Sequence, residues 1–189
     1  MPERTIERHY RDPLDLIWLR AAERLGMRVV RSDEVFASWD GNGTLILATP
    51  EHFDPDDSLA QLICHEICHA ILEAPDGLSK PDWGLENIDQ RHVVREYATI
   101  RLQAALSAPY GLRQFFAVTT EWRPYFDALP EDPIADGSDP AIEIARDGAE
   151  RARTEPWCSV LNDAFRATAA IAEVVREIAP EGCTWACSP

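Results

Sequence analysis

The stretch that decides the fold is Leu59–Glu73, LAQLICHEICHAILE. Leu59, Leu62, Ile63, Ile67, Ala70, Ile71 and Leu72 cover nearly the whole circumference of a helix. The segment therefore predicts a buried helix, capped by Asp57 or Ser58 and stopped by Ala74-Pro75-Asp76-Gly77. Inside it, His65-Glu66-Ile67-Cys68-His69 reads H-E-x-x-H. A spacing of four places both imidazoles one turn apart on the same face, where they can grip one metal ion. Glu66 lies about 100° round the helix. It sits there beside the metal's open position and can take a proton from a metal-bound water. Burying two histidines and a carboxylate in so apolar a helix is costly unless something binds them, and a metal meets that need.

A third ligand has to come from elsewhere. A second long helix is predicted over 87–106, beyond a loop containing Pro81, Asp82, Trp83 and Gly84. It carries Asp89, His92 and Glu96 at i, i+3 and i+7, one polar stripe on a largely apolar helix. Glu96 is the favoured ligand, with Asp89 and His92 as alternatives, His92 also as a partner that orients a ligand.

Outward from these two helices, Asp12-Pro13 opens a first helix through Leu14, Ile17, Trp18, Ala21 and Leu25, closed by Gly26. MRVVR, EVFASW and TLILAT then read as strands, the last two joined by Asp40-Gly41-Asn42-Gly43, which predicts a small antiparallel sheet. Pro109-Tyr110-Gly111 breaks the helical pattern, and residues 128–140 (ALPEDPIADGSDP) form a Pro/Asp-rich loop or linker. Helices follow over about 141–153 and 157–178. The predicted organisation is α+β: a metal-binding core over 1–127, the 128–140 segment, and a helical C-terminal part with a Cys-containing tail over 141–189, packed on the same domain.

Composition narrows the functions. With 33 acidic against 18 basic residues the formal charge is −15, which opposes binding to nucleic acid or to an anionic membrane surface. No apolar run approaches the roughly 20 residues of a membrane-spanning helix. The opening MPERTIERHYRDP is too polar for a secretory signal, so the expected location is cytoplasmic. There Cys64, Cys68, Cys158, Cys183 and Cys187 are expected as free thiols. Their paired Cys-x-x-x-Cys spacing leaves cross-links or a second metal site between the CTWAC segment and the Cys64 helix as the alternative. No phosphate-binding glycine loop and no G-x-S-x-G elbow is present.

An H-E-x-x-H helix after a small sheet resembles the zincin superfamily, whose best-known members are zinc peptidases. In the thermolysin-like group the second histidine is followed by a ligand glutamate at about the separation of Asp89 from His69, so Asp89 fits the spacing and Glu96 the residue type. Over about residues 10–107 the chain also resembles the bacterial elongation factor P hydroxylases. In those, the H-E-x-x-H helix is followed by Asp–aromatic–Gly–Tyr and a carboxylate-bearing helix; here Asp82-Trp83-Gly84-Leu85 precedes the Glu96 helix. Ala70 stands where that family carries Trp, and Leu85 replaces its Tyr. The first resemblance implies a zincin-like fold and zinc-dependent hydrolysis of a peptide or amide bond, with His65, His69 and Glu96 on Zn2+ and Glu66 as general base. The second implies a non-haem iron hydroxylase acting on a protein side chain, with Fe2+ on the same ligands. A non-catalytic metal-binding or regulatory domain is the third expectation. The expected partner is a peptide or protein substrate; oligomeric state is left open. His52, Tyr97, Tyr110 and Tyr125 are candidate transition-state stabilisers, and the aromatic segments around Trp83 and Trp122 are candidate cleft walls or loop anchors.

Overall fold

Asp12 opens the first helix, α1 (Pro13–Arg24), in the computed structural model, which describes residues 7–85 and 90–186. Its carboxylate accepts a hydrogen bond from Leu14 N at 2.8 Å, and Pro13 occupies a position whose missing N–H costs nothing. Trp18 is wholly buried in the centre of the core, edge-on to Phe116 and Phe165, with its indole N–H on Thr168 Oγ1 at 3.0 Å.

Three strands follow: β1 (Arg28–Ser32), β2 (Ala37–Trp39) and β3 (Thr44–Ala48). The sheet is mixed, and this corrects the antiparallel expectation. Its order is β1-β3-β2, with β2 antiparallel to β3 through the Asp40–Gly43 turn and β1 parallel to β3, Arg28 opposite Thr44 and Ser32 opposite Ala48. The cause lies in side chains. TLILA buries Leu45, Leu47 and Ala48 and takes the centre, where both edges are bonded, while β1 carries Arg28 and Arg31 and β2 is short, both properties of edge strands.

Ser58 caps the next helix, α2 (Leu59–Glu73), by accepting from Gln61 N at 3.2 Å. Ile63, Ile67 and Ile71 are fully buried, each contributing about 1.5–3 kcal/mol. Trp39, Leu45 and Leu47 of the sheet enter the same apolar cluster. The helix C-terminus has no basic residue of its own; its orphan carbonyls at Ile71 and Leu72 are met by Arg151 and Arg95 from other elements.

α3 (Gln90–Ser107) runs against α2, and a short α4 (Arg123–Asp127) caps a second small cluster of Ile100, Ala104, Ala117, Val118, Phe126 and Leu129. α5 (Ala141–Ala152) packs on α2 and α3, and α6 (Trp157–Arg176) packs on α1. The 128–140 segment is fastened by arginines: Arg113 donates to the carbonyls of Leu129, Pro130 and Glu131, Arg146 to that of Ile134, and Arg101 to that of Pro133. The described residues thus form an α+β molecule of six α-helices and one three-stranded mixed sheet. No helix among them is long and apolar enough to cross a membrane. Cys64, Cys68, Cys158 and Cys183 are free thiols, and Cys187 lies outside the described residues. Burial pushes the Cys64 thiol up, with Cys68 beside it adding to the effect, so it is no thiolate.

Candidate metal centre

α2 and α3 bring His65, His69 and Glu96 together. His65 Nε2 lies 3.0 Å from Glu96 Oε1, His69 Nε2 lies 3.2 Å from Glu96 Oε2, and the two Nε2 atoms are 3.1 Å apart. Nitrogen and oxygen ligands at about 2.0–2.1 Å from a tetrahedral zinc ion stand roughly 3.3 Å from one another. Each of the three separations is close to that value, the two histidines meeting different oxygens of Glu96, and one donor atom from each residue lies within 4.8 Å of the others. Asp89 lies outside the described residues, and His92, one turn before Glu96, is not part of the cluster.

The outer ring nitrogens fix the tautomers. Gln103 Nε2 donates to the carbonyl of Phe116 at 2.6 Å, which turns Gln103 Oε1 toward His65 Nδ1 at 2.9 Å. Thr99 donates its hydroxyl proton to the carbonyl of Arg95 at 3.1 Å, so toward His69 Nδ1, at 3.2 Å, it is an acceptor. Both histidines therefore carry hydrogen on Nδ1 and turn a bare Nε2 toward the centre, the arrangement metal-ligating histidines need. Two facing lone pairs beside a carboxylate require a cation between them. Without a metal that cation is a proton. Burial by itself pushes the His65 imidazolium down, but the charge and hydrogen bond of Glu96 outweigh it and raise His65 from 6.5 to about 10. For Glu96, burial pushes the carboxyl up, and the two imidazoles outweigh it, holding it well below the usual carboxylate range.

Glu66 is almost fully buried and stands outside the triangle. Its Oε2 accepts the indole N–H of Trp83 at 2.9 Å. Trp83 stacks on Trp39 with ring centroids 4.6 Å apart, and Trp39 in turn donates to the carbonyl of Leu78. The backbone that delivers this indole is strained. Asp82 and Trp83 have φ of 47° and 61°, followed by Gly84 at 79°, and a left-handed non-glycine residue costs about 1–2 kcal/mol. Asp82 Oδ1 holds the turn by accepting from Ser38 Oγ at 2.8 Å and Trp39 N at 3.1 Å.

The cluster opens into a cavity of about 830 Å3, with Trp83, Leu85 and Trp122 among its walls. Trp83 is thus both wall and anchor. His52, Tyr97, Tyr110 and Tyr125 do not line the cavity. His52 contacts Thr49, Tyr97 stacks on Tyr125, and Tyr110 bonds Asn162. Tyr125 is tied to Asp139 and Arg101; burial and then the Asp139 hydrogen bond push its hydroxyl up.

Thr99, Gln103 and the Trp83–Glu66 bond are missing from the sequence reading. The first two carried a signal: they extend the Asp89–His92–Glu96 stripe at the same alternation of three and four, and they are buried polar residues on one helix face. The Trp83–Glu66 bond carried none, because it depends on a left-handed turn at residues that do not favour one. No family model, no curated protein and no solved structure matches the chain.

Proposed function

We propose that the chain is a metal-dependent hydrolase of peptide or amide bonds, with His65, His69 and Glu96 holding a divalent cation, zinc first, and Glu66 as general base. One observation carries the reading: a buried carboxylate stands beside the donor triangle, is not one of its corners, and faces an open cavity. A site that merely fastened the fold would be closed and would have no use for that carboxylate. A bound zinc ion supplies Lewis acidity, acidifying water and polarising a carbonyl. Glu66, with Oε2 fixed by Trp83, takes the water's proton at Oε1 and passes it to the leaving nitrogen. Gln103 and Thr99 hold both imidazoles in the ligating tautomer throughout.

Two histidines and one carboxylate are also the donor set of non-haem iron oxygenases, which makes hydroxylation of a protein side chain the second reading. Metal content of untagged protein prepared in air and without oxygen separates the two. Near one zinc per chain, absent from His65→Ala, supports hydrolysis, and iron held only without oxygen supports hydroxylation. No metal in either preparation overturns both. Glu66→Gln is expected to keep its zinc and lose about 10²–10⁴ in kcat on a peptide substrate; unchanged kcat overturns the role of Glu66.

A further inference from the structure

The charges around the cavity are one-sided. A divalent cation at the triangle is balanced by Glu96 and Glu66. Asp54, Asp82 and Glu121 also line the cavity, and no Lys or Arg does so among the described side chains. Asp82 is occupied by Ser38 and the β2 backbone, whereas neither Asp54 nor Glu121 forms an ion pair among the described residues. Their loops are tied together, since Thr119 donates its hydroxyl to Asp57 and Asp57 accepts from Asp54 N at 2.9 Å. The two free carboxylates are therefore carried on one cross-braced rim.

A second observation points to a donor-bearing ligand. Gln61 lies one turn before His65 on the same face of α2, is 6 % exposed, and lines the cavity. Its Nε2 donates to the carbonyl of Ala117 at 3.4 Å, and its Oε1 has no hydrogen-bond partner among the described residues. A buried amide oxygen left unpaired calls for a partner, and a ligand N–H entering the cavity is a fitting one. Beside the rim, Trp122 offers an aromatic wall that tolerates a cation.

We infer that the site takes basic polypeptide segments, with a Lys or Arg side chain of the substrate held at the rim of Asp54 and Glu121 and a substrate N–H on Gln61. This rests on the hydrolase reading and adds to it the substrate class. Walls of one sign in a low-dielectric cleft raise the local concentration of an oppositely charged ligand and repel the other.

The test is binding to zinc-loaded full-length Glu66→Gln protein, followed by calorimetry with three blocked peptides identical except for Lys, norleucine or Glu at two central positions. The Lys peptide is expected to bind about tenfold more tightly than the norleucine peptide, and the Glu peptide more weakly than either. An Asp54→Asn/Glu121→Gln background is expected to level the three. Glu143→Gln/Glu150→Gln removes the same charge from exposed positions on α5 and is expected to leave the ranking intact. Gln61→Met is expected to weaken all three peptides alike. Equal affinities, or a ranking that falls equally in both double variants, overturn the inference and assign the preference to the overall charge of −15. Wild-type protein that cleaves all three equally well overturns the inference and leaves the hydrolase reading intact. Selective binding of the Lys peptide with no cleavage under any metal does the reverse.

Discussion

Two buried polar systems share α3, and they differ in whether their charges close. Arg101 follows Glu96 by five positions, about 140° round the helix. Its guanidinium donates to Tyr125 Oη, to the carbonyl of Pro133 and to Asp139, while Tyr125 also donates to Asp139 and Asp139 accepts from Ala141 N. Each charge in that knot has its opposite, and its donors are met from within the chain. The His65–His69–Glu96 cluster uses the same kinds of group at the same depth but ends one cation short. The complete network fastens the 128–140 segment to the helix. The incomplete one is the candidate binding site. Burial and polarity alone do not separate structure from function here; the balance of donors and acceptors does.

The sharpest way to break the comparison is Arg101→Met. It strands Asp139 and the Pro133 carbonyl and is expected to lower stability by about 3 kcal/mol, read from the denaturant midpoint, with zinc affinity of the folded protein unchanged. Gln103→Leu acts on the other network. It frees the His65 ring and is expected to weaken zinc binding about 10–100-fold by chelator competition, with a smaller change in the midpoint of the metal-free protein.

Acidity tests the missing cation directly. In the metal-free fold His65 is raised to about 10, so its contribution to stability is complete below 6.5 and lost as pH rises toward 10. Glu96 is lowered, so its contribution is complete above 4.5 and lost as pH falls below that. Metal-free protein is therefore expected to be most stable between 4.5 and 6.5. Zinc must displace the His65 proton, so its affinity is expected to rise about tenfold per pH unit across 6.5–10, the window in which the metal-free fold weakens. In thermal scans the signature is a stability that falls across this window without zinc and stays level with zinc bound. The smallest effect is expected from Trp83→Phe, which keeps the stack on Trp39 and removes only the N–H on Glu66. A several-fold loss of kcat at unchanged zinc content matches one neutral hydrogen bond.

Much of this was legible in local pattern. Apolar coverage and Ser58 place α2 over Leu59–Glu73, and the four-residue histidine spacing gives two corners of the triangle. The third corner was not decidable from spacing, because Asp89, His92 and Glu96 share a stripe and only the level at which α3 passes α2 selects Glu96 over His92. The parallel pairing of β1 was hidden for a related reason. Strand neighbours along the chain are the natural first choice, and what moved β3 to the centre is a competition among three strands for the dry position.

Two hydrogens in the fold have a reach beyond their size. A methyl group on Gly41 would meet the backbone of Lys80 and Pro81 at 2.8 and 2.9 Å, and one on Gly77 would meet Cβ of Glu73 and, at 2.7 Å, the Trp83 carbonyl. The strained turn is clasped between a hairpin tip on one side and the exit from α2 on the other, main chain against main chain. A single carbon at either glycine would move the turn, with it the indole, and with the indole the carboxylate. Neither glycine carries a side chain that could touch a substrate, yet both help to fix where the proposed base stands.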